Sequence, residues 1–370
     1  MKTLLLVTAG LNRPEAGELE RLELADQYPR ASLFVKELNA EVLDERYIGN
    51  LKGLCGLVAR FLPVSAAQVF LGFTLRGKYD AVVSWGEHLG MPLAAFLKLT
   101  MSNTPHVTLF SWISKPKKSR VLRRVHSHID RIILMSSVQY QFASEVLEIP
   151  RTRLELLRWP VDSLFWRPMD TEPNMICSVG REMRDYGILI RALKNLNIRC
   201  HIAAAVFPGK KDSWIREVEL EGPLPAHITI GRKSYAELRD LYARSRFLVM
   251  PLLPSDTDNG TTSILEAMAM GKPVICSRVK GQADVVQEGK TGFYVPAGDE
   301  NALREKILYL WNNPGISERM GKEARKFVEE HHSLDRFVEK AKSVVLEVIA
   351  EHSGVKVDRR RRLDIPVSYQ

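Results

Sequence analysis

The stretch DNGTTSILEAMAMGKPVI, residues 258–275, decides how the chain is read. Asn259, Gly260, Thr261 and Thr262 are residues that cap helices, Ser263 to Met270 are mostly good helix formers, and Gly271 followed by Pro273 ends the helix. The first N–H groups of such a helix have no partner inside it and lie at the positive end of its dipole, while Gly260 lets backbone approach an anion closely. Glu266 follows Thr262 by four residues, which places both on one face. A carboxylate there repels phosphate but accepts hydrogen bonds from a ribose diol. The segment reads as a seat for a nucleoside diphosphate; the plain alternative is an ordinary capped helix with a solvated glutamate.

Outward from this stretch, short apolar runs alternate with amphipathic ones, the pattern of parallel strands wrapped by helices. Strands are expected within residues 3–8, 81–84, 107–110 and 131–135 of the first half, and within residues 175–179, 201–205, 247–251 and 274–277 of the second. The fold class that follows is α/β, two doubly wound Rossmann-like domains joined near residues 159–171. A chain of 370 residues with 45% hydrophobic content has the length for two such cores. Ligands of these sheets bind beyond the carboxyl ends of the strands, where Val179, Pro251 and the neighbourhood of Asp258 fall, so a cleft between the domains is the expected site. No Gly-x-Gly-x-x-Gly turn follows the first strand and no Walker-type Gly-Lys-Ser/Thr occurs, which argues against a dehydrogenase or a P-loop enzyme. Cys55, Cys177, Cys200 and Cys276 are scattered without zinc or disulfide spacing, which suits a reducing, cytoplasmic compartment. The opening MKTLLLVTAG is too short an apolar run for a signal peptide and reads as a first buried strand.

Three further stretches join the first: WPVDSLFWRP at 159–168, SVGREMRDYG at 178–187 and KTGFYVPAGD at 290–299. Together, from about residue 158 to 300, the chain resembles the family 4 glycosyltransferases, retaining enzymes of the GT-B fold that use nucleotide-sugar donors. The resemblance implies domains at 1–165 and 166–332, a helix at 333–353 that returns to the first domain, and an exposed tail at 354–370. It also implies roles. Arg181, after Gly180, matches the family's diphosphate-binding arginine. Tyr186 stands where the family has a lysine, and Arg184 is the candidate to supply that charge. Asp258 matches the first of two family glutamates and lies near the donor sugar, and Glu266 matches the second. The turn of Asn259, Gly260, Thr261 and Thr262 meets the diphosphate, and Arg232 and Ser234 lie in the loop expected beside the base. Gly10 falls where the resembled fold has a glycine-bearing loop near the donor. The donor is expected to be UDP- or GDP-linked, with no metal and no other cofactor.

The first half is where an acceptor, a glycan or a lipid-linked sugar, is expected to bind. Glu87 and His88 follow a strand, and a histidine exchanges protons near neutral pH; the alternative is a capping glutamate and a surface histidine. Ser111 takes the place of a family histidine near the donor sugar. Residues 115–124, KPKKSRVLRR, hold six cations and no acid, a basic strip that suits an anionic membrane surface at the inner face of the plasma membrane. Residues 51–75 are largely apolar, but charge and Pro63 argue against a spanning helix. The strip lacks interleaved aromatics, which argues against nucleic acid. Two other readings stay open: a nucleotide-sugar epimerase or hydrolase of the same fold, and a non-catalytic subunit that binds a sugar nucleotide.

Overall fold

The structure, a computed structural model, describes residues 1–8, 14–50, 61–204, 215, 218, 219 and 221–354. The chain divides into two compact units, one made of Met1–Glu20, Ala31–Arg158 and Arg336–Gln370, the other of Arg21–Arg30 and Trp159–Asp335.

The first unit is built on strands β1 (Thr3–Leu6), β2 (Ala40–Leu43), β3 (Ala81–Trp85), β4 (His106–Phe110), β5 (Arg131–Leu134) and β6 (Leu154–Leu156). All neighbours are parallel, in the order β2-β1-β3-β4-β5-β6. β1, β4 and β5 are buried along their whole length, as strands covered on both faces must be. Helices α1 (Val64–Leu75), α2 (Glu87–Leu99) and α3 (Pro116–Val125) belong to this unit. The final helix, α7 (Leu334–His352), joins it from Arg336 onward. Phe337 packs against the rings of Phe34 and Trp85, Lys342 pairs with Glu37, and Glu351 and His352 pair with Arg131 and Asp130.

The second unit repeats the plan with β7 (Met175–Val179), β8 (Cys200–Ala203), β9 (Ile228–Ile230), β10 (Ser245–Met250), β11 (Val274–Arg278) and β12 (Gly292–Pro296), and with helices α4 (Tyr186–Leu193), α5 (Tyr235–Arg244) and α6 (Thr261–Ala269). Its order is β12-β11-β10-β7-β8-β9, again all parallel. The chain winds outward from β7 through β8 and β9, then crosses back to β10. The gap between the ends of β7 and β10 is therefore a topological switch point, where doubly wound sheets bind ligands.

The expected boundary at 165/166 falls inside the second unit, and Arg21–Arg30, read as part of the first domain, cluster with the second. The reason is a set of ion pairs: Asp26 with Arg167 and Arg239, and Arg30 with Asp162 and Asp335. Residues 51–60, 205–214 and 355–370 lie outside the described residues, and so do Gly10, Cys55 and the tail. No helix among the described residues is long and apolar enough to cross a membrane.

Candidate functional site

Two loops meet at the switch point of the second unit. The β7–α4 loop carries Gly180, Arg181 and Arg184, and the β10–α6 loop carries Asp258 to Gly260. They are tied by backbone bonds from the Asp185 N–H to the Pro251 carbonyl (3.1 Å) and from the Leu253 N–H to the Met183 carbonyl (3.0 Å), with an antiparallel bridge between Arg184 and Leu252. The expected capped helix is α6. Gly260 is its N-cap, held left-handed at φ +88°, and a Cβ there would sit 2.9 Å from Met250 Sδ. Only glycine adopts this conformation without strain. Gly271 closes the other end at φ +71°.

The turn is heavily bonded. The Thr261 hydroxyl donates to the Asp258 carbonyl at 2.8 Å and accepts from Gln282 Nε2 at 2.9 Å, and the same Nε2 donates to the Asn259 carbonyl at 3.0 Å. Asn259 Nδ2 donates to Ser255 Oγ at 3.1 Å. Thr261 is thus buried and used by the fold, whereas Thr262 is exposed. The backbone N–H groups of Thr262 and Ser263 have no hydrogen-bond partner among the described residues, which leaves them as donors at the helix terminus.

Glu266 is half-buried on α6 and receives a 2.9 Å hydrogen bond on Oε2 from the buried Tyr242 hydroxyl. Its Oε1 has no partner among the described residues. Burial pushes its pKa up to about 8, against a lowering by the Tyr242 hydrogen bond. Asp258 accepts from Trp159 Nε1 on Oδ2 and from the Thr257 hydroxyl on Oδ1 at 3.2 Å. Burial raises its pKa as well.

On the other loop, Arg181 is partly exposed, 3.9 Å from Glu182. Arg184 is buried, and its guanidinium donates to the carbonyls of Val179 (3.1 Å) and Glu182 (2.5 Å) beneath Gly180, whose φ is +106°. Tyr186, in the slot where a lysine was sought, is fully buried and donates to the Gly180 carbonyl at 2.6 Å. The slot therefore stiffens the loop. The Ser234 hydroxyl is taken up in a capping box with Glu237 at the start of α5, and Arg232 is exposed nearby.

In the first unit, Glu87 does not cap its own helix. Its carboxylate reaches the β4 loop and accepts from the N–H groups of Ser111 (2.8 Å) and Trp112 (2.6 Å), with Lys118 Nζ at 3.2 Å. His88 is exposed and shares a 2.8 Å hydrogen bond with the Thr8 hydroxyl. The sequence reading missed three residues. Trp159, Tyr242 and Gln282 hold Asp258, Glu266 and the turn, respectively. A buried tyrosine hydroxyl needs a partner, and that was the available signal for Tyr242. Among the described residues no group of three His, Cys, Asp or Glu side chains is arranged to hold a metal.

Residues 165–327 match the family model of glycosyl transferases group 1. This span holds every candidate site residue named above in the second unit except Trp159. Among relatives, a Methanocaldococcus jannaschii protein described as an uncharacterized glycosyltransferase is 31% identical over 140 residues, 38% of each chain. The sulfoquinovosyl transferase of Arabidopsis thaliana is 27% identical over 255 residues, 63% of this chain and 49% of that one. The chain spans less than half the length of these two relatives. Sucrose-phosphate synthase from Thermosynechococcus elongatus has a similar fold, with TM-score 0.75 at 16% identity, covering 95% of this chain and 99% of the other. Anabaena HepE, solved in complex with UDP, has TM-score 0.69 at 16% identity over 94% and 100%. The α/β two-domain fold is thus that of GT-B-like neighbours, and residues 165–327 of the second unit are similar to group 1 glycosyl transferases.

Proposed function

We propose that the protein is a retaining glycosyltransferase of family 4 type that moves a sugar from a UDP- or GDP-linked donor to a glycan or lipid-linked acceptor. The observation that carries this is the left-handed Gly260 turn at the switch point, with open Thr262 and Ser263 N–H groups and Glu266 on the same helix. The helix terminus and Arg181 stabilise the diphosphate as charge grows on the leaving group. Glu266 anchors the ribose through its open oxygen, Asp258 lies beside the donor sugar, and Arg232 and Ser234 flank the base. In the transfer step the bond from the anomeric carbon to the diphosphate breaks. The acceptor oxygen bonds to that carbon on the face just vacated, and its proton passes to the departing phosphate, so no protein base is required. Glu87, through its hold on Ser111 and Trp112, shapes the acceptor side together with His88. Turnover is metal-independent in this reading, and the basic strip at 115–124 brings the enzyme to the inner face of an anionic membrane.

The test is incubation with a panel of UDP- and GDP-sugars and with crude membrane or polysaccharide acceptors. Transfer with retained configuration supports the reading. Rearrangement or hydrolysis of the donor, or binding without turnover, replaces it with one of the two alternatives.

A further inference from the structure

Charge in this chain is distributed unevenly. Residues 61–79 and 88–129 contain nine lysines and arginines and no aspartate or glutamate, which equals the formal net charge of +9 of the whole chain. Both stretches belong to the first unit, where they form α1, α2, β4 and α3. α2 packs against α1 on one side and α3 on the other. Phe73 and Phe96 meet at 5.7 Å across the α1–α2 contact, Arg76 stacks on Phe73 at 3.8 Å, and Lys98 Nζ donates to the Arg124 carbonyl at 2.6 Å, joining α2 to α3. Among the described residues, Lys118 is the one member of the nine that pairs with an acid.

The same surface exposes large apolar side chains. Leu99 and Met101 are 82% and 87% exposed, and Phe96 and Phe70 are 40% and 42% exposed. Lys117, Arg120, Val121, Arg123 and Arg124 are exposed on α3, and Lys115 lies 3.6 Å over the Trp112 ring. Exposed apolar groups this large cost free energy in water. Charge alone suits any polyanion, and exposed leucine and methionine alone suit any apolar surface. An anionic bilayer offers headgroup phosphates and acyl chains within one layer.

We propose that the end of α2, with Phe96, Leu99 and Met101, and the adjoining Phe70 of α1 insert into the interfacial region of an anionic bilayer, while Lys98 and the cations of α3 engage its headgroups. This deepens the membrane element of the functional reading above by naming the inserting residues. The test is co-sedimentation of the full chain with vesicles of phosphatidylcholine alone or with a minority of phosphatidylglycerol, at low and high salt. It needs neither donor nor turnover, so its failure is separate from failure of the sugar-transfer reading. The wild type binds the anionic vesicles and is released by salt. A Leu99→Ser/Met101→Ser variant loses about tenfold in partitioning, and a Lys117→Gln/Arg120→Gln/Arg124→Gln variant loses about tenfold or more. Both sets of side chains are exposed, and matching thermal melts confirm that the variants fold. Full binding by the Ser variant together with loss by the Gln variant makes the surface a simple polyanion site and overturns the proposal. Absence of binding to anionic vesicles by the wild type overturns it too.

Discussion

Replacing Glu266 by glutamine should make the protein more stable at neutral and alkaline pH, although it removes a carboxylate central to the site. The folded pKa of about 8 lies above the ordinary glutamate value of 4.5, so the folded chain holds a proton that the unfolded chain has released. With more protons bound in the folded state, stability falls as pH rises from 4.5 to 8 and levels off above that. A gap of about 3.5 units, 4.5 to 8, corresponds to at most about 5 kcal/mol, of which about 3 kcal/mol is already lost at pH 7. Water at the accessible side of this half-buried group lowers the measurable effect to ~2 kcal/mol. Glutamine keeps an oxygen for the Tyr242 hydroxyl and carries no charge at any pH. Urea denaturation of both proteins from pH 5 to pH 9, read by fluorescence, should therefore give curves that coincide near pH 5 and diverge progressively, Glu266→Gln being the more stable. Parallel curves would show that the carboxyl ionises as freely in the fold as in the unfolded chain, and the account of its burial would be wrong.

A ribose diol donates to the ionised form of Glu266, so nucleoside affinity should rise with pH between about 6 and 8 and level off beyond, with proton release on binding; calorimetry in buffers of different ionisation enthalpy checks this, and a flat profile counts against the ribose contact. Gly260→Ala should cost about 1–3 kcal/mol of stability, because φ +88° is unfavourable for alanine and Met250 Sδ lies 2.9 Å from the new carbon; an unchanged melting temperature would show that the turn relaxes freely. Glu87→Ala should destabilise the first unit by about 2–4 kcal/mol, since it strands the N–H groups of Ser111 and Trp112 as well as Lys118. Turnover should survive EDTA, with the diphosphate charge met by Arg181 and the α6 terminus; recovery of lost activity on adding Mg²⁺ or Mn²⁺ would require a metal instead.

What was legible in the sequence follows burial. The eight strands read from apolar runs lie inside the two sheets, where residues such as Ile132, Ile133 and Leu134 are buried on both faces. The four strands not read, β2, β6, β9 and β12, are the four sheet edges. They are short and partly exposed, with patterns such as Ala40 to Leu43 that carry no continuous apolar signal. The helix of residues 258–275 was legible because capping and termination are local chemistry. The partners of its functional groups were not, because Tyr242 and Trp159 stand 24 and 99 residues away in sequence from Glu266 and Asp258. Arg184 was the candidate to supply the charge of the family lysine that Tyr186 replaces, yet the fold turns it inward onto two carbonyls, a direction set by the loop rather than by neighbouring residues. Arg21–Arg30 joined the second unit through ion pairs with Asp162, Arg167, Arg239 and Asp335, contacts between segments more than a hundred residues apart that no local pattern announces.

The central claim is that one donor is held at two points of the second unit, its diphosphate by Arg181 and the α6 terminus and its ribose by Glu266. Calorimetry of UDP against uridine, and of GDP against guanosine, on the wild type and on Arg181→Ala and Glu266→Ala tests it directly. Arg181→Ala should weaken the diphosphate by about 1.5–3 kcal/mol and leave the nucleoside nearly unchanged, because a charge-assisted contact is lost from the phosphates alone. Glu266→Ala should weaken both ligands alike. If both folded variants bind the nucleoside diphosphate as the wild type does, the donor site lies elsewhere and the second unit shares with its relatives a fold without this function.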